Sequence, residues 1–319
     1  MRKLLLAALA AISLTSPAIA NDKVRLTYTS GPYAYHAWVM YGIEKGIFNK
    51  HGIDVDILGK GGGAHKSNLL LAAGKTDVVI ADFASIVYVN GLQNKSVVKT
   101  FMIIDDRGQD VLVSKKKIDN LDDLNKMSLA ANPNSTSAKL LKIVTDAKPK
   151  FVKVPINMKE LLIFRGEVDA ATGFDTRIIP AFKQLGFDVS KLNVLPLASR
   201  YPWTVSYVQA TNTEWLEKNK DVVVRYTKAS KEALAACIEN KDACIQSLAK
   251  FGGKKIDVET ETLRMDYWVP KYVHTDNVKK NGFSYDRTKD LEIYSDRISK
   301  ALDVPVLGVD AHYVYIATN

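Results

Sequence analysis

Long apolar runs are scarce in this 319-residue chain: after residue 20 no stretch offers about 18 uninterrupted apolar positions, so no membrane-spanning helix is expected there. Cysteine is scarcer still, with Cys237 and Cys244 alone, and none follows the apolar leader, which argues against a lipoprotein anchor. Catalytic signatures are missing: there is no H-E-x-x-H, no G-x-S-x-G, and neither cysteine sits in a nucleophile context. The five histidines, His36, His51, His65, His274 and His312, show no metal-ligand spacing, so neither metal nor cofactor is expected. Basic runs are short. The densest, Lys115-Lys116-Lys117, lacks interleaved aromatics, so the formal charge of +9 reads as a solvated surface and not as a nucleic-acid site.

What is present begins at the start. Met1-Arg2-Lys3 is a basic n-region, Leu4 to Leu14 an apolar core, and Ala18-Ile19-Ala20 the small-x-small pattern of a cleavage site. Residues 1–20 therefore read as a signal peptide, with the mature chain starting at Asn21 in the periplasm. Composition is that of a folded globular protein, 47% hydrophobic and 25% charged. The length exceeds one comfortable core, so two lobes are expected.

The mature chain alternates strand and helix. Val24–Tyr28, Asp54–Leu58 and Asp77–Ala81 read as strands, with helices at Ala34–Tyr41 and Ser67–Ala73 between them, which implies parallel βαβ units. Two adjacent strands near Phe101–Ile104 and Val111–Ser114 open a fresh α/β series running to Gly173. From Thr213 the chain turns helical. A partial repeat supports two lobes: Leu69–Phe83 aligns with Leu161–Asp175 at an offset of 92, each an apolar helix, a glycine stop, a turn ending in Asp and a buried strand. Ligands of open α/β sheets bind beyond the carboxyl ends of the strands, so Asp82–Ser85 and Phe174–Arg177 are expected on opposite walls of one cleft. The expected division is 21–112 with 204–319 for the first lobe and 113–203 for the second.

Gly59-Lys60-Gly61-Gly62-Gly63-Ala64 formally matches a dinucleotide fingerprint but reads better as a turn whose amides meet a ligand edge; Lys60 and His65 stand where a P-loop needs glycine. Asn132–Ser137 is a polar cluster opening a helix, which caps it and offers donors to a ligand. Tyr201-Pro202-Trp203 lies near the return crossover, where aromatics can stack on a flat solute. His36, beside Tyr33 and Tyr35, is a further cleft candidate. Cys237 and Cys244 flank a helix–helix corner with Asp242 as a candidate N-cap, and a disulfide is expected between them in an oxidising compartment.

The segments TYTSGPYAYHAWVMYGIEKGIFNKHGIDVDI, LLLAAGKTDVVIADFASIV and RGEVDAATGFDTRIIPAFKQLGFDV resemble the periplasmic binding proteins for nitrate, alkanesulfonates, taurine and thiamine-pyrimidine precursors, over most of residues 24–210. The resemblance implies an α/β, bilobal type II periplasmic-binding-protein fold with a helical C-terminal segment. It also implies a monomer that binds a small-molecule solute and docks to a cognate ABC permease in the inner membrane. Carried over by position, the solute loop is Ser30, Gly31, Pro32 and Tyr33, and the first-lobe wall is Asp82, Phe83 and Ser85. The second-lobe elements are Asn134, Ser135, Thr136, Phe174 and Asp175, with Arg177 a helical step further on. Two wall acids, Asp82 and Asp175, depart from a simple anion site. They point to a solute with an amine edge, such as an aminopyrimidine, with taurine, an alkanesulfonate or nitrate as the alternative. Pyrimidine-synthesis enzymes share the fold, but they are cytoplasmic, and the leader argues against that class.

Overall fold

The computed structural model describes residues 20–60, 62–131, 136–155 and 158–318, so the leader (apart from Ala20), Gly61 and the cluster at 132–135 lie outside the described residues. The chain runs β1 (Asp22–Tyr28), α1 (Ala37–Glu44), α2 (Ile47–Lys50), β2 (Ile53–Lys60), α3 (Ala64–Ala72), β3 (Val78–Asp82), α4 (Phe83–Gln93) and β4 (Val98–Ile103). It continues through β5 (Asp110–Ser114), β6 (Ser128–Ala130), α5 (Thr136–Val144), β7 (Lys150–Val152), α6 (Lys159–Arg165), β8 (Ala170–Phe174), α7 (Asp175–Gln184) and β9 (Asn193–Pro196). After β10 (Tyr207–Asn212) it is helical: α8 (Thr213–Lys218), α9 (Lys220–Glu239), α10 (Lys241–Gly252), α11 (Val258–Trp268), α12 (Asp276–Asn281) and α13 (Thr288–Leu302).

Two five-stranded sheets result, in the orders β2-β1-β3-β10-β4 and β7-β6-β8-β5-β9. In each, four strands run in one direction and the fifth, β10 or β5, is inserted antiparallel between two of them. The inserted strands come from the two crossovers. β5 begins at Asp110, so the second sheet takes in residues 110–112, which the sequence reading had given to the first lobe. β9 and β10 were not expected from sequence.

Both sheets are covered on both faces, and the period-2 geometry of the strands divides the packing. Along β3, Val78 and Ile80 join a cluster with Trp38, Phe48, Tyr226 and Trp268, while Val79 and Ala81 join one with Phe83, Tyr294 and Ile298. In the second sheet Leu112, Leu129 and Ala170 face one cluster, and Val111, Val113 and Ala171 the other. Each fully buried side chain of this size contributes about 1.5–3 kcal/mol over leaving it exposed.

The internal repeat is structural. Gly74 and Gly166 stop their helices at φ 66° and 76°, the left-handed region a Cβ disfavours. Asp77 then accepts the backbone N–H of Arg25 in the middle of β1 at 2.8 Å, and Asp169 accepts that of Ser128 at the start of β6 at 2.9 Å, in each case one residue before the pairing of the two parallel strands begins. At the crossovers, the buried Asp105 accepts hydrogen bonds from Tyr207 N, Gln109 Nε2 and Trp268 Nε1 at 2.8, 2.6 and 2.7 Å, joining outgoing and returning chain. Cys237 and Cys244 are joined across the α9–α10 corner with Cα atoms 5.3 Å apart. The residue linking the two helices is Asn240; Asp242 lies in the first turn of α10 and is not the N-cap.

Candidate functional site: the cleft between the two sheets

Between the carboxyl ends of the two sets of parallel strands lies a cavity of about 580 Å³, lined from both sides. From the first sheet come Thr29 and Ser30 after β1, Gly62 to Lys66 at the start of α3, and Asp82 and Ser85 where β3 passes into α4. From the second come Gly173, Phe174 and Arg177 where β8 passes into α7, with Lys159 on α6 and Ser137 and Lys139 on α5. Tyr35 and Tyr207 stack with ring centroids 4.6 Å apart, and Phe174 meets Tyr207 edge-on at 5.5 Å, so an aromatic surface also lines the cleft. Burial pushes the Tyr35 phenol up to about 12, so it stays protonated and able to donate.

The strand–helix junctions fix the wall residues. Asp82 is the N-cap of α4: its Oδ1 accepts the Ser85 N–H at 2.9 Å, while Ser85 Oγ donates to the Asp82 carbonyl and accepts from Asn68 Nδ2 at 2.9 Å. Burial raises the Asp82 pKa against the Ser85 bonds that favour its ionised form. On the other wall the Lys159 Nζ, with 6% of the residue exposed, donates to the Thr172 carbonyl at 2.8 Å. Burial, with the Arg177 guanidinium nearby, pushes Lys159 down to about 8. Arg177 is itself paired to the buried Glu160 at 2.7 Å.

Of the residues singled out from sequence, the cleft brings together Asp82, Ser85, Phe174 and Arg177, with Ser30 of the solute loop, Gly62 to Ala64 of the glycine turn and Ser137 of the polar cluster. Others sit elsewhere. Asp175 is fully buried behind the wall, where its Oδ2 accepts from Tyr267 OH at 2.9 Å, Lys271 Nζ at 2.7 Å and Tyr272 OH. Phe83, its counterpart in the repeat, is buried in the core against Tyr294. The reason is alternation: at the end of a strand successive side chains point to opposite sides, so when Asp82 and Phe174 face the cleft, Phe83 and Asp175 face inward. The reading of two wall acids is therefore corrected to one.

His36 is wholly buried, its ring 4.7 Å from Tyr28, its Nδ1 accepting the Tyr33 N–H, and burial pushes its pKa down to about 3. It is a neutral support behind Tyr35, not a cleft group. Tyr33 lies under the Arg264 guanidinium at 4.6 Å, and Pro32 comes near Gly252; neither lines the cleft. Tyr201 and Trp203 border a separate cavity of about 20 Å³, with room for about one water and no solute. Asn134 and Ser135 lie outside the described residues, and Thr136 opens α5. Sequence reasoning missed Lys159, Lys66, Lys139 and Tyr207. For Lys159 a signal was present: at the offset of 92 it is the counterpart of Ser67, beside the wall pair.

Among the described residues no group of acids, histidines and cysteines could hold a metal ion, and no helix is long and apolar enough to cross a membrane. None of the curated proteins matches the chain significantly. Among solved structures, the periplasmic aliphatic sulphonate binding protein SsuA from Escherichia coli is 13% identical, with a TM-score of 0.69 over 91% of this chain and 96% of that one. The ligand binding component of an ABC-type import system from Staphylococcus aureus, solved with zinc bound, is 12% identical, with a TM-score of 0.64 over 94% and 100%. The periplasmic nitrate-binding protein NrtA from Synechocystis PCC 6803 is 14% identical, with a TM-score of 0.55 over 75% and 69%. At these identities the likeness establishes the fold, two mixed α/β sheets in the type II periplasmic-binding-protein arrangement. A sequence model described as NMT1/THI5 like matches residues 33–244, more than half of the chain, and with the fold and cleft in place the chain belongs to that family.

Proposed function

We propose that the mature chain, from residue 21, is the periplasmic solute-binding component of an ABC importer, which closes its two lobes on a small nitrogen-containing organic solute and presents it to an inner-membrane permease. One observation carries the reading: a 580 Å³ cleft, in the size range of small-molecule sites, is lined by the strand ends of two sheets between which the chain passes at the crossovers around 104–109 and 197–206. The lobes are residues 21–112 with 204–319 and 113–203, adjusted so that β5 goes with the second. Residues 1–20 are the cleaved leader. The cleft offers binding groups and a stacking surface, and its arrangement calls for capture and not catalysis.

Asp82 is the acceptor for an amine edge, and Tyr35, Tyr207 and Phe174 suit a flat ring, so an aminopyrimidine of the thiamine-precursor kind is the favoured solute. The second reading, taurine, an alkanesulfonate or nitrate, draws on the cations Lys66, Lys139, Lys159 and Arg177 in the lining. Native mass spectrometry of protein purified from its host should show one co-purified small molecule. Small-angle scattering should show a compact monomer that expands when the solute is removed by partial unfolding and refolding. A protein with no bound solute, whose profile no candidate solute changes, would overturn the proposal.

A further inference from the structure

The two walls of the cleft are copies of one structural unit, and their differences are chemical. At the offset of 92, Ser67, Asn68, Asp82 and Ser85 correspond to Lys159, Glu160, Phe174 and Arg177. The backbone device is retained, and so is one side-chain contact: Asn68 Nδ2 donates to Ser85 Oγ at 2.9 Å, and at the matching place Arg177 donates to Glu160 at 2.7 Å. The formal charge is reversed. On the first wall these four positions carry a single acid, Asp82, facing the cleft. On the second, the two charged residues that reach the cleft are Lys159 and Arg177, Glu160 being buried beneath Arg177.

Lys159 is the telling member. It is nine-tenths buried, lines the cleft, and among the described residues its ammonium has one acceptor, the Thr172 carbonyl, for three donors. Glu160 and Asp110 are near enough to favour its charged form against Arg177. The hydrogen bond it makes goes to a carbonyl, however, so donors are left over in a buried place, which is costly unless an acceptor in the cleft meets them. Lys66 and Lys139 add positive charge to the lining from α3 and α5.

Taking the cleft as the solute site proposed above, we infer that the solute is dipolar: its amine edge meets Asp82, and an acidic group at its other end (carboxylate, sulfonate or phosphate ester) lies between Lys159 and Arg177. Lys159 is then the residue that sets specificity for the acidic end, since Arg177 already has Glu160.

The test uses three matched compounds in calorimetry on mature protein stripped of solute: 4-aminopyrimidine-5-carboxylate with both ends, pyrimidine-5-carboxylate with the acid only, and 4-amino-5-methylpyrimidine with the amine only. The two-ended compound should bind at least tenfold more tightly than either one-ended compound. Lys159→Met should bring the ratio of the two-ended to the amine-only affinity from at least tenfold to near one, and Lys159→Gln, which keeps hydrogen-bond donors, should retain part of it. Any solute co-purified with the protein should contain an acidic group. An amine-only compound that binds as tightly as the two-ended one, a co-purified solute with no acid, or a folded Lys159→Met protein that keeps the preference would overturn the inference and leave the importer reading standing. If none of the three binds and no solute co-purifies, the importer reading fails and this inference with it.

Discussion

The two strand–helix junctions that form the cleft walls carry out the same backbone task with different side chains. Both stop a helix with a left-handed glycine, both bond an aspartate to the neighbouring parallel strand just before the pairing of the two strands begins, and both turn from strand into helix at the cleft. Beyond that they diverge. The first wall caps its helix with Asp82, whereas Phe174 at the matching place makes no side-chain cap. The acid of the second wall, Asp175, is one residue further on and is turned into the contact with α11 and the π-helical segment that follows it, Val269–Val273. A duplicated frame thus keeps what the sheet needs and leaves free what the ligand meets.

The largest effect should come from breaking that second contact. Asp175→Ala leaves Lys271, Tyr267 and Tyr272 without their shared acceptor and should cost about 3 kcal/mol in a urea titration. Asp175→Asn should leave solute affinity within about 0.5 kcal/mol of the parent, because the residue does not reach the cleft. A large affinity loss for a stably folded Asn variant would restore it as a wall acid.

The paired strand caps sharpen the comparison next. Asp77→Ala should cost about 2–3 kcal/mol and Asp169→Ala about 1–2, since Asp77 binds Arg25 through backbone and guanidinium from a nearly buried position while Asp169 is partly solvated. Equal losses from the two would show that neither the burial of Asp77 nor its bonds to the Arg25 guanidinium add to the shared backbone contact.

On the cleft side, Asp82→Asn should weaken binding of an amine-bearing solute by about 2 kcal/mol with little change in stability, because Asn caps a helix nearly as well. Calorimetry with thermal unfolding separates the two quantities. Unchanged affinity would remove the amine edge from the ligand's description.

The smallest effect is a pH slope. Burial raises Asp105 and Asp110 to about 7 from an ordinary 3.8, so the folded chain holds more protons than the unfolded one across roughly pH 4–7, and their contribution to stability falls as pH rises. His36 and His312, pushed down by burial to about 3 and about 4 from 6.5, tilt the other way over much of that window, because they take up protons on unfolding. Stability of the parent should therefore be nearly flat there. Asp110→Asn should make it rise with pH, and a variant curve parallel to the parent would show that Asp110 titrates normally.

Much of this was legible in the sequence because the frame depends on periodicity and glycine. Strands β1 to β5 fell close to their expected places, and the repeat showed that two sheets carry matched elements. Within the second α/β series the segment Leu121–Lys126 is a 3₁₀ turn capped by Asn120, a short polar stretch whose helix-start signals resemble those of an α-helix. β10 escaped because it is a six-residue strand, Tyr-Val-Gln-Ala-Thr-Asn, with polar residues at Gln209 and Thr211 that are buried by long-range partners: Gln209 donates to Tyr226 OH and Thr211 to the Asp77 carbonyl. The cleft was half legible for a related reason. The repeat named the right junctions, but which of two adjacent residues faces the ligand is a matter of register, and Asp82 with Phe174 was chosen over Phe83 with Asp175 by the pleat.

The exchange of inserted strands also has a consequence for how the chain assembles as it emerges. Every strand of the second sheet lies within residues 110–196, so that sheet can complete itself from one continuous stretch. The first cannot. β3 and β4 touch through β10 alone, and Tyr207 must arrive before Asp82 has its neighbour, so half of the cleft waits on a pairing of high sequence separation, the slow kind of closure. In a chain delivered from its N-terminus, the lobe that begins first is therefore the one that finishes last.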